Sequence, residues 1–414
     1  MKKKEEIMED ENIDTTKEIV TIKKEGFSYP EVVIIMIIAI LFGFLIGNVV
    51  SFTKKETTNS SVPSELKEFV DTYNDIVNNY YDKVNKEELI DAGIKGMINY
   101  LDDPYATYFD GTSSTNFNQT LEGNYEGVGI EVTLDNNKVK ITKVFADTPA
   151  KKAGIKVGDY ITKVNGESVE GKSLSDVVSL IKNAKNKEVE IIITRDNQEK
   201  TMKVTRTTVD MPYTSSKVYE ENGKKIGYLK IEMFSNNITK QVKKELESLK
   251  KKNIDKLVID VRDNPGGYLT QVTEILSLFM TKKDVIYQLQ TKNNKEKVYG
   301  TSSKATYNYP VVVLINENSA SASEILASAF KETYNAEIVG VNSYGKGTVQ
   351  KTGDLNNGDT IKYTVQKWLT PKGNWINEKG VTPTKEVKLE LKENETLTED
   401  NDNQLKAAIE LASK

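Results

Sequence analysis

Residues 32–50 read VVIIMIIAILFGFLIGNVV, an apolar run with one polar side chain, Asn48. As a helix rising 1.5 Å per residue it would be about 28 Å long, close to the thickness of a bilayer core. The run divides the 414-residue chain into a short polar tail, residues 1–31, and a large polar body. A cleaved leader is the alternative. About thirty residues precede the run and no A-x-A site follows it, which favours an uncleaved transmembrane anchor. Lys23 and Lys24 flank one side and Lys54 and Lys55 the other, so charge bias sets the orientation only weakly. A large body translocates largely regardless of charge. The expectation is therefore a single-pass protein of the cell membrane, in contact with the lipid bilayer through residues 32–50, with its body on the extracytoplasmic side.

The body has neither Cys nor His. Disulfides, thiol nucleophiles, His-based triads and His- or Cys-ligated zinc are thereby excluded, and neither metal nor cofactor is expected. Proton transfer near neutral pH must use Lys, a carboxylate, Tyr or water. The net charge of -4 provides no basic field for nucleic acid.

Residues 51–64 form a polar linker. Over residues 65–113, Leu66, Phe69, Val70, Tyr73, Ile76, Val77 and Tyr80 recur at helical spacing, a second helix spans 86–100, and the loop LDDPYATYFD follows. Residues 114–207 read as short strands (129–134, 139–144, 160–164, 189–194, 201–204) with two short helices, 148–153 and 174–182. Residues 208–390 alternate strands with helices, as in a layered α/β domain. Residues 391–414 form a tail that ends in an amphipathic helix.

Tyr125-Glu-Gly-Val-Gly-Ile130 opens the strand-rich region, and DTPAKKAGIKVGDYITKVNGESV follows at 147–169. In this order the segments resemble a circularly permuted PDZ domain. A Gly-containing turn can gather backbone N–H groups into a nest for a carboxylate, and a peptide can then add as a strand. Val128, Gly129 and Ile130 would supply those groups. The other reading of the glycines is simply a tight turn.

PVVVLINENSASASEI, residues 310–325, runs from an apolar strand directly into a helix. A Ser at that junction sits beside unpaired N–H groups and the positive end of the helix dipole, where an oxyanion can be received. Ser321-x-x-Glu324 is equally a capping box. Twenty-five residues on, Lys346 lies between two glycines in an apolar neighbourhood, where desolvation would favour a free amine able to take a Ser proton. Gln350 could hydrogen-bond that amine. Asp260-Val-Arg-Asp-Asn-Pro-Gly-Gly, after the strand KLVI, permits close backbone approach to a reacting carbonyl, or a plain turn.

Together GMINYLDDPYATYF, the PDZ-like module, DVRDNPGGYL, NENSASASEILA, GKGTVQ and KWLTPKGNWINEKGVTP resemble the carboxyl-terminal processing (tail-specific) serine peptidases. The resemblance covers the chain from about residue 65 onward. It implies an α/β multidomain chain whose peptidase core, residues 208–390, is of crotonase-like type. It puts the nucleophile on Ser321, with Ser319 and Ser323 as secondary choices, the general base on Lys346 and its orienting group on Gln350. The oxyanion hole falls on the N–H groups of Gly267 and Ala322. It further implies protein substrates with free apolar C-termini and pairing of two chains. Members often carry Pro-Asp where this chain has Pro383-Thr384.

Two rivals remain at this stage. One is an inactive membrane-tethered PDZ scaffold. The other is a nucleotide-binding P-loop, since 340–346 fits G-x-x-x-x-G-K, although Gly347 stands where a Mg²⁺-binding Ser or Thr belongs.

Overall fold

The computed structural model describes residues 63–182, 184–392 and 395–414. The expected membrane span, the N-terminal tail and nearly all of the linker lie outside the described residues. Among the described residues no helix is long and apolar enough to cross a membrane. The chain divides into two compact units, one ending at Leu89 and one spanning Ile90–Lys414. In the first, helix Lys67–Asn79 carries its apolar residues on one stripe, yet Leu66, Phe69 and Ile76 remain exposed.

The second unit is built around a six-stranded sheet. Its strands in sheet order are β1 (Thr214–Glu221), β2 (Lys224–Ile231), β3 (Lys256–Asp260), β4 (Val311–Ile315), β5 (Glu337–Gly340) and β6 (Lys385–Glu386). All neighbours after the β1–β2 hairpin are parallel. Parallel strands need crossovers: helices α1 (Ile238–Lys251), α2 (Leu269–Leu276) and α3 (Ala322–Glu332) supply the first three, and the β5–β6 connection carries strands Thr348–Asp354 and Thr360–Leu369. Central strands covered on both faces read as continuous apolar runs, and β4, VVVLI, is buried at every position. In α1, Ile238, Val242, Leu246 and Leu249 fall on one buried face and lysines on the other. Each such side chain contributes roughly 1.5–3 kcal/mol of burial. The opposite face of the sheet, with Ile226, Val258, Leu314 and Val339, is covered by the C-terminal helix α4 (Asn403–Ser413).

A second sheet was not foreseen. Strand Thr360–Leu369 pairs with Thr348–Asp354, and also with Thr107–Phe109 and Val285–Gln290. Helix Gly111–Glu122 was also missed, because its polar sequence GTSSTNFNQTLE shows little apolar periodicity. It is fixed by caps: the Asp110 carboxylate accepts Ser113 N–H at 3.0 Å and Gly123 closes it with φ 71°. The PDZ-like region forms a six-stranded antiparallel sheet around Val139, Ile141, Ile161, Ile191 and Ile193, and its helices occupy Pro149–Lys152 and Leu174–Lys182. The strands agree with those expected to within a few residues, since alternation over short runs fixes faces better than ends.

Candidate active site

Three loops leave the C-terminal ends of β3, β4 and β5, the edge of an open α/β sheet at which sites form. They carry, in order, DNPGG, SASAS and the Lys346 segment.

The first two loops are locked together. Asn264 O accepts Ala320 N–H at 3.0 Å and the Ser323 hydroxyl at 2.9 Å. The Asn264 side chain accepts Gly266 N–H and donates to Ile231 O, each at 2.9 Å. Phe234 N–H donates to Gly266 O and Tyr268 N–H to Phe234 O, at 2.9 and 2.8 Å. That pairing turns the Gly267 N–H the other way. Gly267 has φ 142°, and a Cβ there would collide with the Phe234 carbonyl. At Gly266 a Cβ would stand 2.8 Å from Ser321 Cβ. The glycines thus serve close approach to the serine loop, and not only a turn. Among the described residues neither the Gly267 nor the Ala322 N–H has a backbone acceptor.

The three serines have separate fates. Ser319 is fully buried, donates to Val261 O at 2.8 Å and accepts Asn316 N–H at 2.9 Å. Ser323 is also fully buried and spent on Asn264 O. Ser321 is partly exposed, starts α3, and sits at φ 52°, ψ -111°, a conformation rarely adopted outside glycine. Ser321 and Glu324 stand in a capping-box arrangement. Ser321 N–H donates to the Glu324 carboxylate at 2.8 Å and the Ser321 oxygen faces the Glu324 N–H in return, while the Ser321 O–H donates to no acceptor among the described residues.

Glu324 does more than cap. Its fully buried carboxylate also accepts the Ser343 hydroxyl at 2.6 Å, Gly345 N–H at 2.7 Å and Lys346 N–H at 2.9 Å. Burial pushes this carboxyl up, opposed by those four donors. One carboxylate therefore seats both the serine turn and the lysine loop. The S-x-x-E pattern suggested only the cap; the better signal was a lone acid in the otherwise small and apolar helix ASEILASAF. Buried Trp368 donates from Nε1 to Lys346 O at 2.7 Å, and Trp375 to Gly347 O at 2.9 Å, so the KWLTPKGNW segment grips the same loop from the other side.

The Lys346 ammonium lies over the Tyr105 ring, 4.8 Å from its centroid. Its pKa is lowered to about 8, chiefly by desolvation and then by Lys362, against the opposing pull of Asp103 and Glu324. No hydrogen bond joins Lys346 to Ser321 or Gln350 among the described residues. The Gln350 amide donates instead to the Thr348 and Thr364 hydroxyls, at 2.9 and 3.1 Å. The lysine loop opens into strand Thr348–Asp354, whereas a P-loop opens into a helix whose N-terminus cradles phosphate, so the nucleotide-binding reading is set aside. Tyr105, Asp103 and Lys362 were not given roles from the sequence. Thr384, in place of the more familiar Asp, accepts Ile338 N–H at 2.8 Å and closes the sheet edge.

In the PDZ-like region Gly129 has φ 89° and a Cβ there would strike Thr148. Val128 is buried, Ile130 begins a strand, and among the described residues neither Val128 nor Gly129 N–H enters a backbone hydrogen bond. The Gly129 amide faces the Tyr125 hydroxyl.

Family models match three stretches: "Peptidase family S41" over residues 225–387, "Activating protease CtpB N-terminal domain" over 47–113 and "PDZ domain" over 140–195. Carboxy-terminal processing protease CtpB of Bacillus subtilis is 40% identical over 318 residues, 76% of this chain and 66% of that protein. Carboxy-terminal processing protease CtpA of the same organism is 36% identical over 349 residues, 84% and 73%. A probable CtpA-like serine protease of Staphylococcus saprophyticus is 32% identical over 385 residues, 92% and 77%. The aligned stretches thus span about two thirds to three quarters of those relatives. With a PDZ domain beside a core in which one serine of three keeps a free hydroxyl at a helix start, the chain belongs to peptidase family S41, the carboxy-terminal processing serine proteases.

Proposed function

We propose that this chain is a membrane-anchored endopeptidase that captures apolar protein C-termini in its PDZ domain and cleaves by a Ser321/Lys346 acyl-enzyme mechanism. The observation that carries the reading is the contrast among the three serines. Only Ser321 has a hydroxyl left over, on a strained turn beside two unspent N–H groups and near a lysine whose pKa is lowered to about 8.

In this mechanism Lys346 first swings from the Tyr105 ring to Ser321. Such bonds are commonly unmade before substrate arrives. Ser321 Oγ then bonds to the peptide carbonyl carbon while its proton passes to the free amine of Lys346. The oxygen, now negative, is held by the Gly267 and Ala322 N–H groups. As the C–N bond breaks, the Lys346 ammonium returns that proton to the departing amine. Water attacks the ester, gives a proton to Lys346, and Ser321 regains it as the acid product leaves. Gln350 Oε1, which has no hydrogen bond among the described residues, remains open to the rotated amine. Val128, Gly129 and Ile130 take the substrate carboxylate, and Tyr125 yields the Gly129 amide to it.

The test compares wild type with Ser321→Ala and Lys346→Ala on an unfolded protein ending in apolar residues, together with fluorophosphonate labelling read by mass spectrometry. Loss of cleavage in both variants, with label on Ser321 alone, is expected. Cleavage by either variant at the wild-type rate refutes the pair. Anchoring through residues 32–50 predicts release of the chain from membranes by detergent and not by alkaline carbonate. The exposed Leu66, Phe69 and Ile76 face favours pairing with a second copy, to be checked by sedimentation of wild type against a triple Ser variant.

A further inference from the structure

Lys362 is a half-buried ammonium for which the mechanism above has no use. It lies on strand Thr360–Leu369, directly opposite Thr107 in the register with strand Thr107–Phe109. Its Nζ sits 5.2 and 5.3 Å from the centroids of Phe109 and Phe117, whose rings stack at 4.6 Å. Among the described residues it makes neither an ion pair nor a side-chain hydrogen bond. A partly desolvated cation without a carboxylate in contact is costly, and the aromatic faces offset only part of that cost.

The same short segment reaches Lys346. Tyr105, two residues before Thr107, lays its ring under the Lys346 ammonium, and its N–H donates to the Asp103 carboxylate at 3.0 Å. Around Lys346 the charged and titratable groups are therefore Asp103 and Tyr105 from this loop, Tyr344 from its own loop, Glu324 from α3 and Lys362 from the neighbouring sheet. Two cations share one aspartate. Asp103 favours the protonated form of both lysines, while Lys362 disfavours it at Lys346.

We propose that Lys362 is a positioning residue for the reaction: its ammonium, held against the Phe109–Phe117 stack, keeps Lys346 as the free amine that takes the Ser321 proton. The proposal rests on the Ser/Lys reading. The bland alternative is that the Lys362 stem only packs on the aromatic pair, which Met would do equally well. The two differ in what removing the charge does. With Lys362 charged, protonating Lys346 places a second cation in the same cluster. Without it, Lys346 holds its proton to higher pH.

The experiment measures kcat/KM against pH for wild type, Lys362→Met and Lys362→Arg. In parallel, competitive acetylation read by mass spectrometry titrates the Lys346 and Lys362 amines in the full-length Ser321→Ala chain, with and without Lys362→Met. For Lys362→Met the rising limb is expected to move up by about 0.5–1 pH unit, the scale of one nearby charge, with a roughly three- to tenfold loss at pH 7 that alkaline pH recovers. Lys362→Arg keeps the wild-type limb. An unmoved Lys346 titration in Lys362→Met overturns the proposal and leaves the Ser/Lys pair standing, provided Lys346→Ala is inactive. An active Lys346→Ala sinks the pair itself. Should Lys362→Met not fold, the Ser321→Ala chain alone decides: Lys362 must still be protonated where Lys346 is free, and the reverse order overturns the proposal.

Discussion

Lys346 carries a cost of desolvation. Its folded pKa, about 8, lies below the ordinary 10.5. Between those values the unfolded chain binds a proton that the folded chain has released, so stability climbs with pH across that window. Below about 8 the folded protein must hold the charge in a poorly hydrated place. Lys346→Met is therefore expected to abolish cleavage and yet stabilise the fold, by about 1–3 kcal/mol at pH 7 in urea titrations. A destabilised variant would contradict the desolvation account. The same shift sets the rate: cleavage should rise through an apparent pKa near 8, and a profile flat from acid to alkaline pH would exclude Lys346 as the base. At Gly267, whose φ of 142° already excludes most side chains, Gly267→Ala should cost on the order of 10²–10³ in kcat by tilting one oxyanion donor. An unchanged kcat would mean that the N–H is not used.

The active elements are loops at the ends of β3, β4 and β5: Asn264 ties the first to the second, and one carboxylate, Glu324, ties the second to the third. Glu324→Gln keeps the shape but presents an NH2 group to amides that need an acceptor. It is expected to lower kcat at least tenfold with KM little changed, as displaced catalytic groups do when binding lies elsewhere. A KM effect alone would count against the clamp. Much of this was legible in the chain. The apolar run of β4 followed by SASAS specifies a strand passing into a helix, and Lys346 between two glycines marks a close approach. Ser321 could not be separated from Ser319 and Ser323 by local pattern, because the distinction lies in partners far along the chain, Val261 and Asn264. The second sheet escaped for a related reason. Strand Thr360–Leu369 presents mixed exposure on both faces, so its alternation is blurred and its pairing with Thr107–Phe109 is purely tertiary.

Across the whole molecule, the sheet is sealed on its second face by the last described helix. Arg262 sits at the seam. It binds Asp260 at 2.7 Å and Asp402 at 2.8 Å, with its other nitrogen on Gln404 at 3.1 Å, all of them buried. Asp402→Ala would leave that guanidinium partly uncompensated and remove the cap of α4. A loss of about 3 kcal/mol in chemical denaturation is expected, and a change below 1 kcal/mol would show that water replaces the carboxylate freely. Arg262 also lies one residue before the DNPGG loop, so the C-terminal helix braces the loop that carries Gly267. Glu324 gives this architecture a further property. On the proposed mechanism nucleophile and base hang from a common hook, so a local opening that wets the hook would disarm both together. Damage or partial unfolding then leaves a silent protein rather than a half-armed hydrolase loose among its neighbours.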